Sequence, residues 1–234
     1  MEKDGDFSFA KFAPDFDRHI TDSIRGYDQL REDCVRFSQY FIQPGSTVLD
    51  IGCSSGELLR GIRDYNQIGS TNVSYLGLDV ENTFRTQWAE RRATNVKFKK
   101  QDVFRYDGFQ NLSVVYSLFT LQFLPEKDRL SLVKKIFDGL LPGGAFIFSE
   151  KILAKNAKFQ DMLHMTYYDH KRKAFTERAI LEKEASIRNQ MHLWSEFKLF
   201  EMLRLAGFSS SYTQLFWRNH LFIGIVAMKP ANYR

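Results

Sequence analysis

An acidic residue and two glycines at fixed spacing follow a short apolar run in the first quarter of the chain. The run from 47 to 51 is apolar except at Asp50, and Gly52 and Gly56 come after it. This pattern predicts a buried strand that enters a tight turn, followed by a helix over 57–65. Glycines let the backbone approach a ligand closely, and such a turn opens at the carboxyl edge of a sheet. The chemistry predicted here is the binding of a small ligand.

Two more acidic residues stand at the ends of predicted strands. Asp79 ends the strand predicted over 73–78, and Asp102 follows the strand predicted over 96–98. A carboxylate at a strand end can accept hydrogen bonds from both hydroxyls of a ribose. Each acid alone has a plainer interpretation as a helix cap or a turn residue. Three acids at successive strand ends favour a shared binding site.

Alternating strand and helix patterns must position these residues. Further strands are predicted over 112–117 and 145–149, and helical segments over 82–92 and 128–141, the last stopped by the residues 141–144. This alternation implies parallel strands joined by right-handed crossovers. The runs 211–217 and 221–228 predict a terminal antiparallel hairpin. The predicted fold class is α/β: a Rossmann-like, doubly wound, mostly parallel sheet with a C-terminal antiparallel hairpin, N-terminal helices and a helical cap.

The same patterns divide the chain into four parts. We expect an N-terminal helical lid over 1–44, a ligand-binding core over 45–151, a helical cap over the active site at 152–205, and a hairpin that completes the sheet at 206–234. With 234 residues, 44% of them hydrophobic, the chain can bury a full core without disulfide bonds.

Composition excludes several classes of protein. Cys34 and Cys53 are too few for a disulfide framework, and no spacing of metal ligands is present, so no metal site is expected. The charged N-terminus and the absence of a long apolar run predict a soluble, cytoplasmic protein with no membrane partner. The net charge of +5 is spread over short basic clusters, which does not favour nucleic acid as a partner.

The stretch from Val48 to Gly56 resembles the loop that binds S-adenosylmethionine (SAM) in class I methyltransferases. The spacing G-x-x-x-G, with the acid two residues upstream, differs from the G-x-G-x-x-G of dinucleotide-binding loops. The resemblance implies that the ribose of SAM meets Asp79 and that the adenine meets Asp102 and Val103. The cofactor-binding residues it implies are Tyr27, Asp50, Gly52, Cys53, Ser54, Gly56, Asp79, Val80, Asp102, Val103 and Leu118.

Several longer blocks resemble the carboxy-S-adenosylmethionine synthases of tRNA wobble modification over nearly the whole chain. They include the residues 119–125, the Ser-Glu-Lys block 149–151, the segment 22–27 and the His-Lys-Arg block 170–172. The resemblance implies that Tyr27 closes over the cofactor, that the helical cap covers the sulfonium, that the protein is a homodimer, and that prephenate supplies a carboxyl group.

The chain departs from that family in the reaction pocket. Ungapped alignment places Glu184 where the family has an arginine that pairs with the carboxylate of the modified cofactor, and a carboxylate there would repel another. Arg188, one helical turn away, is an alternative cation. Leu118 replaces an asparagine of the family, and Arg25 replaces a proline. The cofactor site is therefore expected to be retained while the chemistry differs.

The segment H-M-T-Y-Y-D-H supplies the candidate catalytic residues Tyr168, His164, His170 and Tyr167. Aromatic faces stabilise a sulfonium by cation–π attraction, and histidine or tyrosine can move a proton during alkyl transfer. The plainer interpretation is that these rings pack the cap onto the sheet.

Four functions follow from these observations. The first hypothesis is a SAM-dependent, methyltransferase-like transferase that acts on a small molecule. The alternatives are carboxy-SAM synthesis from prephenate, an intramolecular cyclisation of SAM that releases methylthioadenosine, and a SAM-binding regulator without turnover. Methyl transfer needs little beyond alignment and desolvation, so the residues do not identify the acceptor.

Overall fold

The computed structural model describes residue 13 and the ranges 15–67, 72–90 and 93–231. Within them the helices are α1 (Phe16–Ser23), α2 (Tyr27–Phe37), α3 (Glu57–Tyr65), α4 (Arg85–Glu90), α5 (Glu126–Gly139), α6 (Ala157–Lys171), α7 (Glu177–Ile187) and α8 (Glu196–Ala206). The strands are β1 (Thr47–Ile51), β2 (Ser74–Asp79), β3 (Val96–Lys100), β4 (Leu112–Leu118), β5 (Leu140–Leu153), β6 (Trp194–Ser195), β7 (Thr213–Asn219) and β8 (Phe222–Met228).

One sheet with the strand order β3-β2-β1-β4-β5-β8-β7 forms the centre of the molecule. The pairs from β3 to β5 are parallel. The last two strands form an antiparallel hairpin, and β8 pairs antiparallel with β5. The order reverses between β1 and β4, which leaves a crevice at their carboxyl ends. The predicted α/β class, with its parallel sheet and terminal hairpin, is confirmed.

Alternating side chains of the strands build a hydrophobic core on each face of the sheet. Leu49 and Phe148 lie in the core that also contains side chains of α5 and α8. Val48 and Ile147 lie in the core on the other face, which contains side chains of α2 and α3. The strands are apolar on both faces because helices cover both, as in doubly wound folds.

The boundary between α5 and β5 differs from the prediction. The helix ends at Gly139 and the strand begins at Leu140, so the residues 141–144 are part of β5 rather than a stop between elements. The N–H of Gly143 donates to the carbonyl of Lys229, and the N–H of Lys229 donates to the carbonyl of Gly144. These distant hydrogen bonds extend the strand through a Pro-Gly-Gly sequence that locally favours a turn.

Two other predicted segments also differ in detail. The segment 82–92 is a 3-10 turn followed by the short α4, and residues 91 and 92 lie outside the described residues. The segment 152–205 is not purely helical, because β6 pairs with β5 beside Ile152. Within that segment α8 packs into the core against α5, while α6 and α7 contribute to the cavity described below. Residues 1–12 of the expected N-terminal lid lie outside the described part of the chain.

Candidate active site

A cavity lies at the carboxyl ends of β1, β2 and β4, where the strand order reverses. Gly52, Asp79 and Leu118 line it from the sheet edge. His19 lines it from α1, and Tyr167 lines it from α6. Helices on two sides therefore bound the crevice that the sheet opens.

The turn after β1 is held close to its neighbours. Gly52 has a φ of +76°, and a Cβ there would lie 2.1 Å from the Oγ1 atom of Thr120. The N–H groups of Gly52 and Cys53 both donate to the carbonyl of Leu78. Only glycine combines this left-handed backbone with so little space. The turn thus lies against the start of the segment 119–125.

Asp79 connects this turn to the next strand end. Its Oδ2 atom accepts a hydrogen bond of 2.8 Å from the N–H of Ser54, and its Oδ1 atom accepts one of 2.8 Å from the N–H of Glu81. Burial raises the pKa of Asp79, while the backbone hydrogen bonds act in the opposite direction. Each carboxylate oxygen has a second lone pair, so the side chain can also bind a ligand at the cavity wall.

Asp50 lies beneath the turn and does not line the cavity. Its side chain is 2% exposed. Burial, and then the charge of Asp79, raise the pKa of Asp50 to about 8. Asp50 is therefore largely protonated at neutral pH, and its place in the fold is behind the binding surface.

Asp102 has the capping geometry that the plainer interpretation predicts, and it also lines the cavity. Its Oδ1 atom accepts a hydrogen bond of 2.9 Å from the N–H of Phe104. Asp102 and Val103 both face the space that Asp79 borders. A capping role and a ligand-binding role are compatible, because only one carboxylate oxygen is used by the cap.

The other predicted cofactor-binding residues are distributed between the wall and the layer behind it. Those that line the cavity are Gly52, Ser54, Asp79, Val80, Asp102, Val103 and Leu118. Those that do not are Tyr27, Asp50, Cys53 and Gly56. Tyr27 is buried and packs against the ring of Phe119, which lines the cavity. The roles of all the predicted cofactor-binding residues in binding SAM stay predictions.

The four predicted catalytic residues do not form one cluster on the wall. Tyr167 lines the cavity, and Tyr168, His164 and His170 do not. The rings of His164 and Tyr168 pack edge to face, with centroids 4.5 Å apart. Burial lowers the pKa of both histidines. Tyr167 alone of the four lies on the cavity wall, and the catalytic roles of all four stay predictions.

A charged cluster at one end of the cavity was not predicted. Lys151 from β5, Lys171 from α6 and Lys183 from α7 line this end together with Glu184. The Oε1 atom of Glu184 lies 3.9 Å from the Nζ atom of Lys151 and 3.7 Å from that of Lys171. Both ammonium groups lie 5.1 Å from the centroid of the Tyr167 ring. A sequence signal existed, because two of these lysines lie in the blocks 149–151 and 170–172.

The lysines are not ordinary surface cations. Burial lowers the pKa of Lys151 and Lys171, and Glu184 acts against that effect. Burial and the charge of Lys171 lower the pKa of Lys183 to about 7. Lys183 also contacts the Nε2 atom of His19, whose own pKa burial lowers to about 4. An amine whose pKa is lowered in this way is partly neutral near pH 7 and can accept a proton.

Three features that the sequence analysis considered are a metal site, a membrane-spanning segment and Arg188 as an alternative cation. Among them, no group of three or more His, Cys, Asp or Glu side chains is arranged to hold a metal ion. No helix in the described part of the chain has the length and apolar character needed to cross a membrane. Arg188, the alternative cation for the Glu184 position, is not among the cavity-lining residues.

The chain is similar to known proteins over most of its length. The family described as "Methyltransferase domain" matches residues 49–146. A carboxy-S-adenosyl-L-methionine synthase from Staphylococcus epidermidis is 30% identical over 226 residues, covering 95% of this chain and 96% of that protein. The same enzyme from Actinobacillus succinogenes is 32% identical over 239 residues, covering 98% and 96%.

Solved structures with low sequence identity share the fold. A DhpI–SAH complex has a TM-score of 0.62 and 13% identity, and the match covers 95% of this chain and 93% of that one. Human N-acetylserotonin methyltransferase in complex with SAM has a TM-score of 0.61 and 13% identity, covering 94% of this chain and 55% of that one.

Proposed function

The chain belongs to the carboxy-S-adenosyl-L-methionine synthase family within the class I SAM-dependent methyltransferases, and on that premise we propose that it transfers a group from SAM to a small molecule. It is a SAM-dependent enzyme. The observation that supports a small acceptor is the cavity itself. Helices α1, α6 and α7 contribute walls around the carboxyl ends of the strands, so an acceptor must fit between them.

The residues of the wall fit the parts of SAM. The turn at Gly52 and Ser54 offers a closely approachable backbone, and Asp79 offers carboxylate oxygens for the ribose hydroxyls. SAM supplies an activated methyl group on a positive sulfonium. The ring of Tyr167 on the cavity wall can stabilise that charge by cation–π attraction. The roles of these residues are part of the proposal.

Lys183 supplies a way to activate the acceptor. Its pKa of about 7 leaves a substantial fraction of the amine neutral at physiological pH. A neutral amine on the cavity wall can take the proton that a hydroxyl nucleophile loses as it attacks carbon, or the proton that an ammonium group must lose before its amine can attack. Walls from the sheet edge and from three helices can align the reactants, which is the main requirement of an in-line displacement.

Carboxy-SAM synthesis is the second candidate, because the relatives at 30% and 32% identity carry that name. The charged cluster lies beside Tyr167, at the end of the cavity where we place the sulfonium and which we call the reactive end; it contains three lysines and one glutamate. Glu184 is predicted to repel a carboxylate on the ligand, and the nearby lysines act in the opposite direction. What this cluster does to a carboxylated ligand is taken up below.

Product analysis by mass spectrometry distinguishes the candidates. The protein is incubated with SAM alone, with prephenate, and with a panel of small nucleophiles. S-adenosylhomocysteine together with a methylated acceptor supports the proposal, and carboxy-SAM supports the second candidate. Methylthioadenosine formed from SAM alone supports cyclisation or cleavage of SAM itself. SAM binding without any product across the panel contradicts an enzyme of these types and favours a regulator.

We also propose that the protein is a homodimer. Phe159, Met162 and Met165 recur at three-residue spacing on α6 and are each about half exposed. Residues at this spacing are neighbours on a helix, and an exposed apolar stripe favours association. Sedimentation velocity is expected to show a dimer, which Met162→Glu weakens. A monomer at all concentrations tested would contradict this assignment.

A cytoplasmic location is the remaining part of the proposal. Cys34 and Cys53 are both buried and unpaired, which suits a reducing compartment. Fractionation of cells that express the full chain is expected to place it with cytoplasmic markers.

A further inference from the structure

The carboxylate of Glu184 occupies a position between two ammonium groups on the cavity wall. Its Oε1 atom is 3.9 Å from the Nζ atom of Lys151 and 3.7 Å from the Nζ atom of Lys171. The two lysine side chains are only 7% and 3% exposed, and that of Glu184 is 17% exposed. The three residues come from β5, α6 and α7, so the fold brings them together at the reactive end.

Buried ammonium groups need a negative partner. Removing a charge from water is costly unless it is paired, and burial shifts the pKa of both lysines downward. Two lysines beside an aromatic ring at a ligand cavity form a site in which a ligand carboxylate would otherwise be stabilised. In this chain a side chain of the protein supplies the carboxylate.

We propose that Glu184 fills this anion subsite from within the chain and thereby makes the reactive end select against ligands that carry a carboxylate there. SAM itself has no carboxylate on its methyl group, whereas carboxy-SAM has one. A carboxylated ligand would place its charge beside that of Glu184 and would find the lysines already paired. Glu184 is a specificity-determining residue that favours SAM over carboxy-SAM. The inference rests on the proposed binding of SAM in this cavity.

Isothermal titration calorimetry with SAM and with carboxy-SAM tests the inference. The wild-type chain is compared with Glu184→Gln, which keeps the shape and removes the charge, and with Glu184→Asp, which keeps the charge. Glu182→Gln is the matched control, because Glu182 lies on the same helix and pairs with Arg178 in solvent. Wild type, Glu184→Asp and the control are expected to bind SAM more tightly than carboxy-SAM. Glu184→Gln is expected to shift the ratio of the two affinities toward carboxy-SAM by about tenfold.

The preference of the wild-type chain for SAM over carboxy-SAM can be measured without any variant, so the test still holds if a substituted chain fails to fold. A wild-type preference for carboxy-SAM overturns the inference. So does an unchanged affinity ratio in a folded Glu184→Gln variant, as judged by its thermal unfolding. Binding of SAM without this selectivity refutes the inference alone, whereas absence of SAM binding refutes the proposed function with it.

Discussion

The contact between Gly52 and Thr120 allows a quantitative test of the proposal that the turn after β1 binds SAM. At Gly52, with a φ of +76°, a Cβ would lie 2.1 Å from the Oγ1 atom and 2.7 Å from the Cγ2 atom of Thr120. At Gly45, with a φ of +73°, a Cβ would meet nothing within 4 Å. The two glycines share a backbone conformation and differ in the space around them. Gly45→Ala is therefore a matched control for Gly52→Ala.

The left-handed backbone is expected to cost each alanine variant about 1–2 kcal/mol of the free energy of unfolding. Gly52→Ala carries an additional cost of about 1–3 kcal/mol, because the new methyl group overlaps the Thr120 side chain. Relief of that overlap must move the turn, so the affinity for SAM is expected to fall by at least about tenfold. Gly45→Ala is expected to leave the affinity for SAM unchanged.

Urea unfolding and calorimetric titration with SAM provide the two measurements. Thr120→Ala removes the two closest atoms, so the double variant with Gly52→Ala should be more stable than the sum of the single effects predicts. The expected coupling is about 1 kcal/mol or more, since the residues are in contact. Equal losses of stability for the two glycine variants, or additive effects of Gly52→Ala and Thr120→Ala, would refute the reasoning.

Three other variants test the electrostatics and the hydrogen bonding around the site. Because the pKa of Lys183 falls from 10.5 to about 7 on folding, stability rises with pH between those values. Lys183→Met should make that rise smaller in urea unfolding without SAM, and an unchanged rise would contradict it. Because the pKa of Asp50 rises from 3.8 to about 8, stability falls as pH increases through that window. Asp50→Asn should therefore gain stability over wild type toward pH 8, and a constant difference would refute this. Trp88→Phe removes a 2.8 Å hydrogen bond to the carbonyl of Ser54, which is worth about 1 kcal/mol. The variant should therefore bind SAM about fivefold more weakly in calorimetry. Unchanged binding would contradict a role of Trp88 in holding the turn.

Local patterns were sufficient to predict the sheet and the turn that faces the ligand. The run 47–51, Gly52 and Gly56 indicate a strand, a close approach and a helix start, because each is a property of neighbouring residues. Asp79 and Asp102 could be placed at strand ends for the same reason. The start of β5 could not be predicted in this way. Hydrogen bonds between Lys229, far along the chain, and both Gly143 and Gly144 extend the strand.

The sequence by itself determined the fold class, the glycine turn after β1 and the family, and it identified Glu184 as a departure. Considered alone, that residue predicts only repulsion of a carboxylate. Only the tertiary structure decided its surroundings, because Lys151 in β5 and Lys171 in α6 are brought beside it at one end of the cavity. The effect of a charge depends on burial and on neighbours that are distant in the chain, so spacing along the sequence cannot reveal it.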